Sequence, residues 1–311
     1  MSTNQQTLSR AGIARMAALA LIWGSAFLCI KFALRGFSPL QIVFGRLLLG
    51  FAVLAPIVLS RGMRLPRSAR TWGHLAVAAV VANVIPYTLF NVGEQSIGSN
   101  VAGVINATTP LWTLLVALLL RAERGITVAN GVGFALGFLG VVLIFSPWQS
   151  AGEIASWGGV ACLIASAGYG VGYAYIARFL TSRGLDPLVL ATGQLAAASV
   201  ITGLFMPFAG TQPPSWRPEA IVSVLVLGVL GTGIAYILNY RIIVEDGPTI
   251  ASTVTYLLPV VAVILGWLVL GETLTLTMVA GSVLVLAGVA LTRRPRASAA
   301  REPDTAERAA A

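Results

Sequence analysis

The chain has 311 residues, of which 57% are hydrophobic and only 10% are charged. Soluble domains carry about 25% charged residues, so this composition excludes a water-soluble globular protein and indicates a helical membrane protein with several spans. The formal charge of +9 would suggest nucleic-acid binding in a soluble protein, but basic residues in a membrane protein mark cytoplasmic loops, and we predict no nucleic-acid partner.

Apolar segments of about 20 residues, the length of a transmembrane helix, follow one another along the chain and are joined by short connections. The first segment is long and lacks a small-residue cleavage site, so it is interpreted as an uncleaved span rather than a signal peptide. Residues 293–311 are charged and alanine-rich, and we expect a disordered cytoplasmic tail there. Ten segments are predicted, at residues 13–34, 38–60, 72–93, 98–120, 126–146, 156–180, 187–209, 218–241, 247–270 and 275–292.

The distribution of basic residues predicts the orientation of the chain. With the N-terminus in the cytoplasm, sixteen arginines fall in cytoplasmic connections and in the termini, whereas only Arg35 and Arg217 fall on the opposite side. This asymmetry is a strong positive-inside signal. We therefore expect a multi-pass protein of the inner cell membrane with both termini in the cytoplasm.

Segments three to five resemble segments eight to ten at an offset of 149 residues. Five segments in each half place the second half upside down in the membrane, which is a recurrent transporter architecture. The predicted fold class is therefore an all-α membrane protein with ten transmembrane helices as two inverted five-helix repeats, at residues 1–150 and 151–292. The matched pairs are Tyr87 with Tyr236, Gly98 with Gly247, Ala102 with Ala251, Pro110 with Pro259 and Glu123 with Glu272.

Two matched segments carry a proline inside an apolar run. A proline cannot donate a backbone hydrogen bond, so Pro110 frees the carbonyl of Asn106 and Pro259 frees that of Thr255. In lipid such a carbonyl is tolerated only where protein or water satisfies it. A neighbouring helix could bond each carbonyl, but the matched pair favours two kinks that face a shared polar cavity.

Several motifs follow one another in an order by which the chain resembles the EamA-type family of the drug/metabolite transporter superfamily. The resemblance covers nearly the whole chain except the tail. It implies a ten-helix carrier with inverted repeats for small metabolites, often amino acids or related compounds leaving the cell. The segment-six counterpart of segment one, "ACLIASAGYGVGYAY", lacks the tryptophan and carries tyrosines instead. The motifs are "LIWGSAFLCIK" (21–31), "GRLLLG" (45–50), the two proline-to-glutamate blocks and "GSVLVLAGVAL" (281–291).

Two basic residues lie inside apolar segments, where an ionisable group is costly and indicates function. Lys31, late in segment one, could reach the outer surface, supply a cavity cation for a substrate carboxylate, or pair with Glu94. Arg46 in segment two is interpreted as a structural anchor to backbone carbonyls or lipid headgroups. No carboxylate occurs in the middle of a segment, so a built-in proton relay has weak support, and facilitated diffusion or exchange fits as well.

Neutral aromatic and amide side chains are the best candidates for a substrate cavity. Aromatic faces with few polar groups suit amphipathic organic substrates better than inorganic ions. For each tyrosine or tryptophan, packing or an interfacial position is the alternative. With Lys31, the candidate substrate-binding residues are Trp23, Ser25, Asn83, Tyr87, Asn106, Tyr169, Tyr173, Tyr236, Thr255 and Tyr256, and the candidate helix kinks are Pro86, Pro110 and Pro259.

A secondary carrier is the predicted function, with a small molecule and the lipid bilayer as partners and with no cofactor. The alternatives are a channel and an intramembrane enzyme such as a lipid-modifying transferase. Against an enzyme, the chain has one histidine, and Cys29 and Cys162 have no metal or redox spacing. It also lacks the glycine-rich loop that binds ATP phosphates.

Glycines in segment five have the GxxxG spacing that lets helices approach closely. Gly133 and Gly137 form this motif. Segments five and ten are therefore interpreted as packing helices rather than cavity walls, and a homodimer contact there is one expectation.

Overall fold

The computed structural model describes residues 10–120, 128–145, 155–270 and 275–292, together with residues 148 and 152. Within these residues the chain forms ten apolar spans. Seven spans are long and apolar enough to cross a membrane by themselves, and spans 5, 9 and 10 are shorter apolar helices. Each predicted segment corresponds to one span, so the predicted helical membrane fold is confirmed.

Several spans consist of more than one helix. In the first half, span 1 contains Arg10–Gly24 and Ala26–Ala33; span 2 is Pro39–Ser60; span 3 contains Ala69–Ala79, the π-helical turn Val80–Val84 and Ile85–Gly93; span 4 contains Ser99–Asn106 and Thr109–Leu119; and span 5 is Val128–Phe145. In the second half, span 6 is Trp157–Phe179; span 7 is Pro187–Ala209; span 8 contains Pro218–Gly228, the π-helical turn Val229–Ile234 and Ala235–Asp246; span 9 contains Pro248–Ser252 and Val254–Leu270; and span 10 is Leu276–Thr292.

Spans 5 and 10 pack against each other through glycines. A Cβ at Gly133 would lie 2.7 Å from the carbonyl oxygen of Gly288, and a Cβ at Gly140 would lie 2.5 Å from that of Gly281. An early residue of one helix thus meets a late residue of the other, so the helices are antiparallel. Because they occupy the same place in the two halves, the halves are inverted relative to each other.

The glycine contact lies within one chain and joins the two segments that were interpreted as packing helices. Gly133 packs against span 10, and Gly137 packs against the ring of Tyr256 in span 9. These glycines therefore give no support to a homodimer contact, and a homodimer stays a prediction. Glu123 and Glu272, the last residues of the two proline-to-glutamate blocks, lie outside the described residues.

The two π-helical turns occupy matched positions, since Val80 and Val229 are 149 residues apart. In span 3 the helix after the turn begins at Ile85, and its second residue, Pro86, has no N–H to donate to the carbonyl of Ala82. In span 8 the position of Pro86 is taken by Ala235, and the wider turn is instead stabilised by Thr232. Its hydroxyl donates to the carbonyl of Leu227, five residues earlier, at 2.8 Å.

Span 4 is interrupted between Asn106 and Thr109, directly before Pro110. The carbonyl of Ile105 accepts from the Thr108 amide at 3.0 Å and from the Thr108 hydroxyl at 2.7 Å. It also accepts from the hydroxyl of Ser166 in span 6 at 3.1 Å. The interruption therefore leaves this buried carbonyl satisfied by protein, as the interior of a membrane protein requires.

The interruption of span 9 differs from the prediction, because it lies at Thr253 rather than at Pro259. Pro259 lies inside the helix Val254–Leu270. The Thr253 hydroxyl donates to the Ile250 carbonyl at 2.7 Å, and the Thr255 hydroxyl donates to the Ser252 carbonyl at 2.8 Å. Hydrogen bonds from a side-chain hydroxyl to a carbonyl of the preceding turn compete with the regular helical hydrogen bonds. The interruption therefore lies more than one turn before Pro259.

Candidate functional site

A cavity of about 80 Å³ lies between the two halves. Side chains from spans 1, 2, 3, 4, 6, 7, 8 and 9 line it, whereas spans 5 and 10 lie outside its lining. Pockets for drug-sized ligands measure about 300–1,000 Å³, so this cavity is smaller than such a pocket. Seven of the residues proposed from the sequence are among its lining residues, namely Trp23, Tyr87, Asn106, Tyr169, Tyr173, Tyr236 and Thr255.

The cavity lies beside the axis that relates the two halves. The hydroxyl of Tyr87 donates to that of Tyr236 at 3.3 Å, and these two tyrosines are 149 residues apart. Two repeat-matched residues can touch only near the axis between their repeats. In an inverted repeat that axis lies in the membrane plane, so the tyrosine pair marks the midplane of the membrane.

The π-helical turns direct backbone carbonyls toward neighbouring spans. The carbonyl of Gly231 accepts from the indole Nε1 of Trp23 at 2.9 Å. The matched carbonyl, that of Ala82, accepts from the Tyr236 hydroxyl at 3.5 Å. Trp23 is thus held in place by span 8, and its ring forms part of the cavity wall.

A network of buried hydrogen bonds lies behind the tyrosine pair. The amide of Asn83 donates to the Tyr236 hydroxyl and accepts from the Gln194 amide at 2.6 Å. The Tyr240 hydroxyl donates to the carbonyl oxygen of Gln194. Each amide therefore both donates and accepts, which holds the Tyr236 ring in one orientation and links spans 3, 7 and 8.

Arg46 is a buried cation in the cavity wall, with only 4% of its surface exposed. Its Nε donates to the hydroxyl oxygen of Thr232 at 3.2 Å. Its guanidinium carbon lies 3.8 Å from the centroid of the Tyr87 ring, a cation–π contact. Span 2 and the π-helical turn of span 8 together fix the position of this charge.

Aromatic rings form one wall of the cavity. Phe90 and Tyr169 are stacked with centroids 5.7 Å apart. Tyr169 contacts Tyr87 edge to face at 6.2 Å, and Phe27 contacts Phe90 edge to face at 5.9 Å. Spans 1, 3 and 6 thus supply an apolar surface beside the guanidinium of Arg46, and the site combines one cation with aromatic faces.

Neutral polar groups reach the cavity from spans 4, 8 and 9. Asn106 and Thr255, the matched residues next to the two interruptions, are both in the lining. The side-chain oxygen of Asn106 accepts from the Thr109 hydroxyl at 3.3 Å. Asn239 also lines the cavity, and its Oδ1 has no hydrogen-bond partner among the described residues. This amide is available for a polar group of a bound molecule.

Four candidate residues lie elsewhere. Ser25 lies between the two helices of span 1 and donates to the Ile22 carbonyl at 2.9 Å. Asn83 belongs to the network behind Tyr236. Tyr256 is fully buried and packs over Gly137 of span 5.

Lys31 is the fourth, and its contacts differ from those expected for a side chain that reaches the outer surface or the cavity. Its Nζ donates to the backbone carbonyl of Glu94 at 2.5 Å and to that of Ile97 at 2.8 Å. It therefore ties span 1 to the connection between spans 3 and 4. Glu94, one of the partners considered for Lys31, accepts this hydrogen bond through its backbone carbonyl.

Ten lining residues lie outside the candidate set, and the polar ones among them are Arg46, Gln194 and Asn239. Arg46 was assigned to anchoring, and Gln194 was not considered. Gln194 is completely buried in the middle of span 7. A large amide in the middle of an apolar span is costly unless it has partners, and that signal could have identified it.

The acidic and metal-binding side chains of the described residues are dispersed. No group of three or more histidine, cysteine, aspartate or glutamate side chains among them could hold a metal ion. The carboxylates that the structure places lie at helix ends, at Glu94, Asp186, Glu219, Glu245 and Asp246.

Comparisons with known proteins agree with this architecture. The model of the EamA-like transporter family matches the chain twice, at residues 10–146 and 156–294. An uncharacterized transporter of Archaeoglobus fulgidus is 30% identical over 284 residues, which are 90% of this chain and 98% of the relative. The uncharacterized inner membrane transporter YedA of Escherichia coli is 30% identical over 280 residues, 88% of each chain.

A third relative, the uncharacterized transporter YdfC of Bacillus subtilis, is 27% identical over 274 residues, which are 87% of each chain. One solved crystal structure superposes with a TM-score of 0.69 at 18% identity and covers 92% of this chain and 98% of its own. At this identity the likeness shows a shared fold.

Proposed function

Because this chain belongs to the EamA-like transporter family, we propose that it is a secondary carrier that exports small organic metabolites, such as amino acids or related compounds, by alternating access. The observation that carries the proposal is the cavity beside the axis between two inverted halves. A site on that axis stays in place while the halves exchange conformations around it, so either side of the membrane can open to it.

An ion pair between the halves supports the gating part of the proposal. Arg15 of span 1 pairs with Glu245 at the end of span 8, with Nη1 3.0 Å from Oε1. These spans belong to different halves, so the pair closes one end of the interface between them. Glu245 is half exposed, and solvent-exposed pairs contribute about 0–1 kcal/mol. Such a contact can hold a closed end and still open readily.

The proposed orientation places this pair, and both termini, in the cytoplasm. A reporter active only in the periplasm, fused to the C-terminus, is expected to be silent, because sixteen arginines then lie on the cytoplasmic side. The same reporter inserted between spans 1 and 2, next to Arg35, is expected to be active. Activity of the C-terminal fusion would contradict the orientation.

Transport by the purified protein tests the carrier function itself. In proteoliposomes loaded with a panel of amino acids and related organic acids and amines, we expect at least one compound to leave at a rate that saturates with concentration. Saturation reflects occupation of a discrete site, whereas a channel would give flux that rises linearly. Protein-free liposomes are the control. A chemically altered product would instead favour an intramembrane enzyme, and absence of saturable flux for every compound would contradict the proposal.

A further inference from the structure

We propose that Arg46 binds the carboxylate of the transported substrate, so that the cavity selects organic anions and zwitterions over amines and uncharged molecules. The inference rests on the proposed carrier function and adds the substrate class of the same cavity. Arg46 lies in the cavity wall between the two halves, a position that a structural anchor to lipid headgroups would not occupy.

The first argument is the charge balance of the cavity. The guanidinium carries a positive charge, and only 4% of the surface of Arg46 is exposed. Among the described residues, no carboxylate forms an ion pair with Arg46; the pair that the structure records is Arg15 with Glu245. A buried cation without a counter-charge is unfavourable in a membrane interior. A carboxylate that enters the cavity would supply the missing charge.

The second argument is the orientation of the guanidinium. The hydroxyl of Thr232 donates its proton to the Leu227 carbonyl at 2.8 Å, so its oxygen accepts from Arg46 Nε at 3.2 Å. Nε is thereby occupied, and the plane of the group is held over the Tyr87 ring. The four N–H groups on the two terminal nitrogens form no hydrogen bond to a described residue. They have the fork geometry that binds a carboxylate with two parallel hydrogen bonds.

The third argument is what surrounds the cation. Phe90 and Tyr169 provide apolar faces beside it, and Asn239 provides a buried acceptor, Oδ1, without a described partner. A molecule with a carboxylate, a compact apolar part and one hydrogen-bond donor therefore matches the groups that line the cavity. An inorganic anion would leave the aromatic faces unused.

Probes that differ only in their charged group test the inference on the purified protein. We would compare pentanoate, pentanamide and pentylamine, and the corresponding phenylpropyl compounds, by thermal stabilisation in detergent and by competition with saturable flux in proteoliposomes. A ligand that binds the folded state raises the unfolding temperature, because it stabilises that state by a free energy that grows with the logarithm of ligand concentration over dissociation constant. In each set we expect the carboxylate to bind at least tenfold more tightly than the amide, and the amine to bind least.

Substitutions of Arg46 then link that preference to the guanidinium. Arg46→Gln is expected to reduce the carboxylate-to-amide ratio of affinities at least tenfold, which corresponds to about 1.4 kcal/mol. Arg46→Lys keeps the charge but lacks the planar fork, so an intermediate ratio is expected. The matched control is Arg35→Gln. Arg35 also contacts an aromatic ring, that of Phe32 at 4.8 Å, but it is exposed outside the cavity, and the ratio should stay unchanged.

The outcomes separate this inference from the carrier function. Saturable transport of amines or amides that bind as well as the carboxylates would overturn the role of Arg46 and leave the carrier function intact. A folded Arg46→Gln protein that keeps the full carboxylate preference would also overturn it. If Arg46→Gln fails to fold, two measurements decide the question: the carboxylate-to-amide ratio of affinities in Arg46→Lys and the probe series on the unsubstituted protein. If neither protein binds the carboxylates, the inference is contradicted.

Discussion

Replacing Gly140 with alanine is expected to lower the free energy of unfolding by about 1–3 kcal/mol, the usual cost of overpacking a close contact. The added Cβ would lie 2.5 Å from the Gly281 carbonyl oxygen and 2.7 Å from the backbone nitrogen of Val285. Both are main-chain atoms, which cannot rotate away as a flexible side chain could. The two helices must therefore separate, which weakens the packing between spans 5 and 10 along their length.

Gly131 in the same helix provides the matched control. A Cβ there would have no atom within 4 Å, so Gly131→Ala removes a glycine from a helix without a clash. Alanine is favoured over glycine in a helix interior by about 1 kcal/mol, and this variant is expected to be as stable as the parent protein or slightly more stable. Thermal unfolding of the two purified variants in the same detergent gives the comparison.

A double variant tests whether the effect arises at the contact. A Cβ at Gly281 would lie 2.6 Å from the Gly140 carbonyl oxygen, so the two positions share one site of close approach. Once the first alanine has separated the helices, the second should cost less, and the combined loss should be smaller than the sum. Equal stability of Gly140→Ala and Gly131→Ala would contradict the proposed packing, and strict additivity would place the effect elsewhere.

The ten spans follow from the sequence because a membrane helix needs a long apolar run. The inverted repeat follows because a few residues, such as Tyr87 and Tyr236, recur at one offset. Their hydroxyl contact of 3.3 Å beside the axis depends on the rotation of each helix about its own axis. Hydropathy fixes that rotation poorly when apolar residues surround the helix.

The irregular turns were harder to predict, because different residues produce the same geometry in the two halves. Pro86 marks the π-helical turn of span 3, but the matched turn of span 8 has Ala235 at that position and relies on the Thr232 hydroxyl. Conversely, matched prolines do not give matched interruptions, because the hydroxyl of Thr253 sets the position in span 9. A proline shows that a hydrogen bond is missing, whereas the location of the break depends on the neighbouring side chains.

The two basic residues within the spans show the same limit for the site. Both carry a charge within an apolar segment, and the sequence analysis placed Lys31 among the candidate cavity residues with other roles open and interpreted Arg46 as an anchor. In the structure Lys31 binds two main-chain carbonyls, whereas Arg46 lies in the cavity wall. The direction in which each long side chain extends depends on its tertiary partners. For Lys31 these are carbonyls of the connection after span 3, and for Arg46 the partner is Thr232.

Replacing Pro110 with alanine is expected to slow transport by up to about tenfold while the protein stays folded. Alanine supplies the N–H that Pro110 lacks, so the carbonyl of Asn106 can receive the regular helical hydrogen bond, which is worth about 0.5–1.5 kcal/mol. That bond would favour a continuous span 4 and would turn the Asn106 side chain, which now lines the cavity, away from its present position. If the interruption must bend during each transport cycle, this free energy adds to the barrier, and 1.4 kcal/mol corresponds to a factor of ten.

Pro259→Ala is the matched control for Pro110→Ala, because the two prolines correspond in the repeat but differ in their surroundings. Pro259 lies six residues after the interruption of span 9 and inside a helix, where proline is less favourable than alanine by about 3 kcal/mol. Its replacement should raise the unfolding temperature and change the flux less than Pro110→Ala does. Initial rates of saturable efflux from proteoliposomes, at equal amounts of folded protein, give both values. Full transport by Pro110→Ala would show that the interruption of span 4 is a feature of packing only. If Pro259→Ala slowed transport more than Pro110→Ala does, the moving hinge would lie in span 9 instead.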